Sequence, residues 1–571
     1  MLPGVLLLLP SLFCCISQLL LPTVQTFLMS FQKISLLGSE QAYVGLENYA
    51  RLFGDENFWR AARFTLTTLL VRLCVVALVP LILAWAASHF GRRLRLGLRI
   101  LLTLPIVLFA PVAMAVTWSI FLNPASGWFS LERSWAASPA SARFTLLFID
   151  ALYLFGLASG LGLIVYLPLW RRAADAPRPA FGEVLKPMLA TWALGILGII
   201  ALTLSTFQLN FVLTNGGPAG STSTLGLLFY HIAFRTLSMG PAASVASLIL
   251  LATLALGTGA GVLVILTRLR LNSIDTKPGN QPMDRDRSRA LPGIVLAVLV
   301  LFILGTCLLS TLPFGSLLPR AFGTDGLAQF LEHISAGRLF VSTFVPPLVT
   351  TTLQVLIAYL AALSIGALRP FEERSPWALL LFSPWLFITV PSLSLVYFMA
   401  AQKAGTFDTL RGAISPILIS IPALFILTIF FMGRASQRQH EMTEGTSSTA
   451  PNFLQHFILP SLPLAAVLWL MLLFFNGQDI FWPLLVSLSP ERYTLNLMLS
   501  RLVQIFNGSD GTLAAAITFF ILPVCIFFFF GLAFFQILFL DRLTLYTEDP
   551  SNGGAAPDSE TDLPIIADLR E

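Results

Sequence analysis

Residues 268–290, RLRLNSIDTKPGNQPMDRDRSRA, form a charged hydrophilic break between two long apolar segments. Residues 242–266 precede this break and residues 291–312 follow it. Each segment is long enough to cross a hydrocarbon layer of about 30 Å as a helix. Inside that layer every backbone polar group needs an internal partner, which a helix provides. The break therefore predicts a membrane protein divided into two halves.

Apolar segments of this kind recur along the whole chain, six on each side of the break. They predict an all-α polytopic membrane protein with about 12 transmembrane helices and no soluble domain. A duplicated six-span body is typical of a pore or carrier built from two equivalent halves. The spans are expected near residues 4–28, 64–88, 98–121, 144–169, 188–211, 242–267, 291–314, 346–367, 376–399, 412–433, 461–485 and 513–540.

The composition agrees with a membrane protein and argues against a globular enzyme. Of 571 residues, 56% are hydrophobic and only 11% are charged. The net charge of +5 does not indicate a nucleic-acid partner, because the basic residues are scattered through short loops. The five cysteines lie inside apolar segments without metal-ligand spacing, so we expect them to be packing residues and expect no metal site.

The distribution of basic residues predicts the orientation of the chain. Twenty of the 34 Lys and Arg residues fall on one set of connections and 13 on the other, and Arg72 falls within a span. The positive-inside rule places the richer set, the hydrophilic break and both termini in the cytoplasm. Because no basic residue precedes the first apolar segment, we expect a retained span there and not a signal peptide.

These patterns divide the chain into four parts. Residues 1–270 are expected to form the first six-span module and residues 291–545 the second, with 271–290 as a cytoplasmic linker. Residues 546–571 carry seven acidic residues together with Pro and Gly, and show no periodicity. Such a composition predicts a disordered cytoplasmic tail.

Two predicted cytoplasmic connections occupy equivalent places in the two halves, at about 170–187 and 434–460. Each ends in a proline, Pro187 or Pro460, that is expected to open the next span. Proline is well tolerated in a first helical turn because its missing N–H would have no partner there. The prolines could simply mark helix starts, but the repetition favours a functional role for both loops.

Three short segments carry a resemblance to a known family. They are residues 44–49 (VGLENY), 212–218 (VLTNGGP) and 478–485 (QDIFWPLL). The chain resembles the inner-membrane permeases of ABC importers for sugars and related solutes, of the maltose and glycerol-3-phosphate type. In most such importers the two permeases are separate chains. Here the resemblance implies two tandem type I permease modules fused in one chain, with similarity reaching to about residue 545.

The resemblance implies a permease subunit of an ATP-driven importer in a bacterial inner membrane, forming the path for a sugar or related small polar solute. The implied partners are a cytoplasmic ABC ATPase dimer and an extracytoplasmic solute-binding protein, with membrane lipid around the chain and no nucleic acid. The phosphate-binding motif G-x-x-x-x-G-K-[ST] does not occur in this sequence. We therefore expect no enzyme and no cofactor in this chain, because ATP and Mg would be used by the separate ATPase.

The family's cytoplasmic loop begins with Glu-Ala-Ala, has a Gly six residues later, ends in Leu-Pro and docks into the ATPase. Counting back from the prolines, Glu441 retains the acidic start, whereas Pro168 takes that place in the first half. Neither loop keeps the glycine, so the resemblance implies altered turns. The implied ATPase-coupling residues are Ala174, Phe181, Pro187, Glu441, Ser447 and Pro460.

Polar side chains inside spans are costly and usually face a protected interior. The fifth predicted spans carry such groups at matching places in both halves. Interhelical hydrogen bonding is the alternative explanation. The candidates for the solute pathway are Phe207, Gln208, Asn210, Gln478 and Asp479.

Arg72 and Asp150 are two lone charges within predicted spans. We interpret them as structural or end-of-span residues.

Two other functions remain open at this stage. A secondary transporter also uses repeated halves, but it would need a constellation of intramembrane carboxylates for a coupling ion, and Asp150 and Asp479 alone give it little support. A non-transporting scaffold derived from an ABC permease would suit the departures in the two loops.

Overall fold

The computed structural model describes residues 2–34, 42–108, 111–121, 138–175, 181–273, 290–321, 335–443, 452–505 and 516–548. Helices dominate these residues, and the strands among them are short. The all-α class predicted from the sequence is therefore confirmed for the described part of the chain. The α-helices of the first half are Leu2–Cys14, Leu21–Ser30, Glu47–Gly54, Glu56–Ser88, Arg92–Leu101, Thr103–Leu108, Pro111–Phe121, Pro139–Asp175, Phe181–Leu204, Gln208–Leu213, Leu225–Tyr230 and Met239–Leu266.

The second half is also helical, with several π-helical and 3₁₀ turns at helix ends. Its α-helices are Ala290–Ala321, Ala336–Ala362, Val390–Lys403, Leu410–Ala413, Ile421–Thr443, Leu459–Gly477, Phe481–Val486, Leu495–Ile505 and Leu522–Leu538. The π-helical segments of the chain are Cys15–Leu20, His231–Arg235, Leu363–Leu368, Leu454–Ile458 and Ile517–Ile521, and the 3₁₀ segments are Glu372–Leu381, Ser383–Trp385, Pro490–Arg492 and Leu540–Arg542.

Within the described residues, nine helical segments are long and apolar enough to cross a membrane. They are Leu2–Ser30, Glu56–Ser88, Pro139–Arg172, Val184–Leu213, Met239–Leu266, Ala290–Leu309, Ala336–Leu368, Leu454–Gly477 and Ile517–Arg542. Each coincides with one of the twelve segments expected from the sequence. Twelve such helices are not found among the residues that the structure describes.

In their described residues, the three remaining predicted spans do not form a single long apolar helix. The described residues of 98–121 belong to shorter helices, and 376–399 consists of 3₁₀ turns followed by the helix Val390–Lys403. The segment 412–433 starts in the short helix Leu410–Ala413, and its longer helix begins only at Ile421 and continues through polar residues to Thr443. All three contain prolines, which remove a backbone donor and interrupt helices. Apolar length alone therefore overestimated the length of these helices.

Four short strands among the described residues form two antiparallel pairs. Strand β1 (Gln32–Lys33) pairs with β2 (Ala42–Tyr43), and β3 (Leu269–Ser273) pairs with β4 (Leu543–Thr547). The second pair is called the ribbon below. It places residues 271–273, expected in the linker, and residues 546–547, expected in the disordered tail, in regular structure. Because the two strands are far apart in sequence, their pairing is not visible in either segment alone.

The two halves interlock and do not merely lie side by side. The first helical segment, Leu2–Ser30, packs against helices of the second half, including Ala336–Ala362 and Leu363–Leu368. Side chains on both sides hydrogen-bond across this contact: Ser364 Oγ donates to the Gly4 carbonyl at 2.6 Å, the Leu418 amide to Gln18 Oε1 at 2.7 Å, and Trp385 Nε1 to Thr23 Oγ1 at 3.1 Å. These contacts join the halves into one body around a shared interior.

Candidate functional site, a cavity between the two halves

Each half contains a long helix that stops and resumes as a short one. In the first half, Phe181–Leu204 is followed by residues 205–207 and then by Gln208–Leu213. In the second half, Leu459–Gly477 is followed by residues 478–480 and then by Phe481–Val486. A break at membrane depth leaves backbone groups without helical partners, so it is tolerated where it is buried in protein or lines a cavity.

The two breaks meet in the interior of the protein. Gln208 Nε2 donates a hydrogen bond to the Gln478 backbone carbonyl at 3.3 Å. The Gln208 side chain also interacts with the Asp479 carboxylate. The rings of Phe207 and Phe481 pack edge to face, with their centroids 4.9 Å apart. Residues that the sequence placed at matching positions are thus in direct contact.

A cavity of about 690 Å³ lies at this junction and is lined by both halves. Its volume is within the range of about 300–1,000 Å³ that is usual for small-molecule sites. Apolar side chains form much of the wall, with polar groups set among them. Those polar groups are Arg72, Asp150, Tyr153, Ser205, Thr206 and Gln208 from the first half and Thr343, Thr350, Gln354, Thr389, Ser415, Ser420, Asn476, Asp479 and Thr494 from the second, with the Trp385 and Trp482 indoles.

Three of the five candidate pathway residues line the cavity, namely Phe207, Gln208 and Asp479. Asn210 does not, because its side chain is buried and donates to the Thr222 carbonyl at 2.9 Å. Gln478 is likewise absent from the lining and contributes its backbone carbonyl to the junction. The contacts of Asn210 are those of a structural residue, which was the alternative that the sequence left open.

Asp479 holds the start of the short helix that follows it. Its Oδ1 accepts a hydrogen bond from the Phe481 amide at 2.9 Å, and its Oδ2 accepts one from the Trp482 amide at 3.4 Å. These are first-turn amides of the helix Phe481–Val486, which have no partner within the helix. A carboxylate in this place also interacts favourably with the positive end of the helix dipole. Asp479 therefore combines a capping role with a place in the cavity wall.

An ion pair stands in the first-half wall of the cavity. Arg72 Nη2 lies 2.6 Å from Asp150 Oδ1, and Arg72 Nε donates to Asp150 Oδ2 at 2.8 Å. Arg72 Nη1 donates to Thr206 Oγ1 at 2.8 Å and lies 3.3 Å from Thr203 Oγ1. The sequence predicted two lone charges in structural or end-of-span positions, and they form a pair instead. Their opposite signs within apolar segments were the signal, because intramembrane charges usually pair.

A second polar group lies in the opposite wall and was missed by sequence reasoning. Asn476 Nδ2 donates to Thr351 Oγ1 at 2.8 Å and to Gln354 Oε1 at 2.9 Å. Gln354 Nε2 in turn donates to the Ile417 carbonyl at 2.9 Å. An asparagine and a glutamine within apolar helices were the available signal. Their meeting depends on the packing of three separate segments.

An aromatic cluster packs around the junction of the breaks. The Phe207 ring centroid lies 4.8 Å from that of Phe211 and 5.2 Å from that of Tyr230. All three side chains are buried, as is Phe481. Edge-to-face and offset pairs of this kind add about 0.5–1.5 kcal/mol beyond the area they bury. The wall of the cavity beside Gln208 is therefore firmly packed.

The first predicted coupling loop is described only at its flanks. Ala174 lies at the end of the helix Pro139–Asp175, and Phe181 begins the next helix. Pro187 was expected to open that helix, but it lies inside it, because the helix already starts at Phe181. At the seventh helical position its missing N–H removes one backbone hydrogen bond of the helix.

The second predicted loop follows the helix Ile421–Thr443, and Glu441 belongs to the last turn of that helix. Ser447 lies outside the described residues. Pro460 is the second residue of the α-helix Leu459–Gly477, which a π-helical turn at Leu454–Ile458 precedes. The chain therefore becomes helical several residues before the proline.

The ribbon lies between the helices that carry the two loops. Strand β3 packs on the helix Ile421–Thr443, and β4 packs on the helices Pro139–Asp175 and Phe181–Leu204. Arg270 pairs with Glu548 at 3.1 Å and reaches Met432 Sδ at 3.3 Å. Each strand thus packs on helices of the half to which it does not belong.

Comparison with known proteins gives relatives for part of the chain. It is 27% identical over 259 residues to the trehalose/maltose transport system permease protein MalF of Thermococcus litoralis, covering 40% of this chain and 82% of MalF. It is 27% identical over 264 residues to the sn-glycerol-3-phosphate transport system permease protein UgpA of Escherichia coli O157:H7, covering 42% of this chain and 86% of UgpA. The probable ABC transporter permease protein YurN of Bacillus subtilis is 23% identical over 256 residues, which are 41% of this chain and 87% of YurN.

Over 40–42% of its length, the chain is homologous to ABC transporter permeases. Such relatives are membrane subunits without enzymatic activity, and this homologue is likewise a multi-pass membrane protein. No family model matches the chain. Each of these matches covers less than half of this chain, so they do not test the fusion of two modules. That fusion and the residue assignments remain predictions.

Proposed function

We propose that the chain is the membrane-spanning permease subunit of an ATP-driven ABC importer and carries both halves of the translocation path. The solute class would be a sugar or related small polar solute. The observation that carries the proposal is the cavity at the meeting of the two helix breaks, where polar side chains are set among apolar ones. The names of MalF and UgpA support the solute class, since they refer to trehalose, maltose and sn-glycerol-3-phosphate.

The proposed architecture has two six-span modules, with the three interrupted segments completing the count of twelve. Both termini and the linker would lie in the cytoplasm of a bacterium, and the chain would reside in its inner membrane. A cytoplasmic ABC ATPase dimer would dock at the two loops, and an extracytoplasmic binding protein would deliver the solute. ATP and Mg would be used by the ATPase alone.

The geometry supports a mechanism in which movement at the loops reaches the cavity. The helix Phe181–Leu204 starts beside the first loop and ends at the first break, and Leu459–Gly477 does the same in the second half. Closure of the ATPase would shift the ends of these helices that lie beside the loops. At their other ends, this shift would separate the two helix breaks or bring them together. Amide and hydroxyl groups such as Gln208, Asn476 and Thr350 can exchange hydrogen bonds with solute hydroxyls.

Two features argue against a secondary transporter. Asp150 is paired with Arg72, and Asp479 is engaged with backbone amides, so each carboxylate in the cavity already has partners. A coupling-ion site needs carboxylates that can bind and release the ion. A non-transporting scaffold, in turn, would have no use for a cavity with polar side chains between its halves.

The proposal is tested by purifying the tagged chain from its own host with its partners and reconstituting the complex in liposomes. We expect an ABC ATPase to co-purify and radiolabelled sugars to be taken up only with ATP and the binding protein. Uptake that persists without ATP but follows an ion gradient would favour the secondary transporter. A chain that purifies without an ATPase and moves no solute would favour the scaffold.

A further inference from the structure

A second concave site lies away from the cavity, and the proposed function does not use it. It is a groove of about 520 Å³ in the second half, called the arginine groove below. Three segments form it: the end of the π-helical turn Leu363–Leu368, the helix Ile421–Thr443, and the chain that returns after the second loop. Its lining consists of Ala367, Leu368, Arg369, Ala435, Arg438, Gln439, Phe453 and Phe457.

The groove combines cationic groups with an apolar surface. Arg438 packs over the Phe457 ring, with its guanidinium carbon 5.8 Å from the ring centroid. The Phe453 ring stacks beside Phe457 with a centroid distance of 5.0 Å. Phe453 and Leu368 remain more than one third exposed. Among the described residues, no carboxylate lines this groove.

Both arginines have positive charge that is incompletely compensated. Arg438 Nε is buried and has no hydrogen-bond partner. Arg369 Nε donates to the Gly366 carbonyl at 3.3 Å, a neutral acceptor. Burial lowers the pKa of Arg369, and the nearby Glu548 carboxylate only partly offsets that effect. An anion in the groove would satisfy these groups, since charge-assisted hydrogen bonds to guanidinium are stronger than neutral ones.

The described chain ends close to the groove. Glu548 follows the ribbon, pairs with Arg270 and acts electrostatically on Arg369. Arg270 contacts Met432, which lies six residues before Arg438 on the same helix. The acidic tail that follows Glu548 therefore starts beside the groove. The segment 562–568, DLPIIAD, lies 14 residues further on, within an extended reach of about 46 Å.

The chemistry of this segment matches that of the groove. An aspartate stands at each end, Asp562 and Asp568, with Leu563, Ile565 and Ile566 between them. The groove offers two arginines around an apolar surface made by aromatic and aliphatic side chains. Tethering to the ribbon gives the segment an effective concentration in the millimolar range without any diffusing partner.

We propose that the arginine groove is the binding site of the chain's own acidic segment 562–568. Its aspartates would pair with Arg369 and Arg438, and its aliphatic side chains would cover Phe453 and Phe457. The bound segment would then lie beside the second loop. This interaction requires neither transport nor an ATPase, so its test does not depend on whether the proposed function is correct.

Photocrosslinking in the full chain tests the placement directly. With benzoylphenylalanine at Ile565, we expect a crosslink to the peptide that carries Phe453 and Phe457. Arg438→Glu should reduce its yield at least fivefold. Arg369→Glu with Arg438→Glu should abolish it, and adding Asp562→Arg with Asp568→Arg to that double variant should restore it.

The matched control is Arg374→Glu, which reverses an exposed arginine outside the groove and should leave the yield unchanged. Crosslinks only to lipid or to another protein would overturn the proposal. A crosslink to the groove whose yield is the same with Arg438 and with Arg438→Glu would also overturn the proposal.

Groove accessibility gives an independent measurement in purified protein. Gln439→Cys, which places a thiol in the groove wall, should react with a maleimide at least threefold faster when the chain is truncated after Glu548. Glu373→Cys, an exposed site outside the groove, should react at the same rate in both lengths. Equal rates at residue 439 with and without the tail would show that the segment does not cover the groove.

Discussion

At the scale of single residues, the contacts of the cavity wall distinguish structural from pathway roles. Gln208 and Asp479 lie in the wall and interact with each other, whereas Asn210 is committed to a loop carbonyl. Asp479 cannot be tested cleanly, because it also caps a helix. Gln208 is the better probe, since its side chain lines the cavity and caps no helix, although it contacts the Gln478 carbonyl and the Asp479 carboxylate.

We expect Gln208→Leu to lower solute uptake at least fivefold while leaving expression and membrane insertion unchanged. The substitution keeps most of the side-chain volume but removes the hydrogen bond to the Gln478 carbonyl and the polar group in the wall. Uptake into reconstituted liposomes provides the measurement. Gln402→Leu, at an exposed glutamine outside the cavity, serves as the control. Normal transport by the Gln208 variant would assign this residue to helix packing.

The Arg72–Asp150 pair makes a prediction about stability. Arg72→Leu should lower the free energy of unfolding by about 3–5 kcal/mol, because it leaves a buried carboxylate without its partner. The double variant Arg72→Leu with Asp150→Leu should recover much of this loss. Thermal unfolding of the detergent-purified protein measures both. A double variant as unstable as the single one would contradict the pairing as the source of the loss.

At the scale of elements, the ribbon connects the ends of the two halves at a point where helix and strand backbones approach closely. Gly433 allows this approach, because a Cβ at that position would lie 2.4 Å from the Leu271 carbonyl oxygen. To make room for a Cβ, the helix backbone or the strand backbone would have to shift, which costs more than moving the end of a flexible side chain. The contact is therefore a sensitive probe of the ribbon.

Gly433→Ala should destabilise the protein by about 1–3 kcal/mol, the usual cost of overpacking. Gly305→Ala is the matched control, because this glycine is also within a helix but has open space around it. The control should be neutral or slightly stabilising, since alanine favours helix by up to about 1 kcal/mol. Melting temperatures of the two variants give the comparison. Equal shifts would show that the ribbon does not constrain this helix.

The two loops should differ in their contribution to ATPase attachment. In the proposed alignment of the coupling loops, Glu441 takes the acidic start of the motif and Pro168 takes that place in the first half. A carboxylate can accept charge-assisted hydrogen bonds, which a proline side chain cannot. Glu441→Arg should therefore release the ATPase, or reduce solute-stimulated ATP hydrolysis, more strongly than Ala174→Arg. Co-purification and ATPase assays measure this, and equal sensitivity would refute the asymmetry.

At the scale of the whole molecule, the halves share their interior and exchange elements. The first helical segment packs on the second half, and each strand of the ribbon packs on helices of the opposite half. The cavity consequently belongs to neither half alone. A shared cavity of this kind suits a transporter whose halves move against each other.

The predicted orientation can be measured in intact cells. In a background with the exposed Cys74 replaced by Ser, we expect Ser288→Cys in the linker to resist a membrane-impermeant maleimide added from outside. Gln402→Cys should be labelled, because residues 400–411 are expected on the outer side. Permeabilised cells, in which both sites should react, are the control. The reverse pattern would contradict the assignment of both termini to the cytoplasm.

The sequence by itself determined where the long apolar segments lie, that a charged break divides them, and which polar residues stand inside them. These are local properties, because segment length and residue polarity decide what a helix can do in lipid. Only the tertiary structure decided which polar groups meet. The pairing of Arg72 with Asp150, the contact between Gln208 and Gln478 and the ribbon join residues from 78 to more than 270 positions apart. Such contacts arise from the packing of whole helices. Prolines within the apolar segments interrupt some of these helices and so change which helices can pack together.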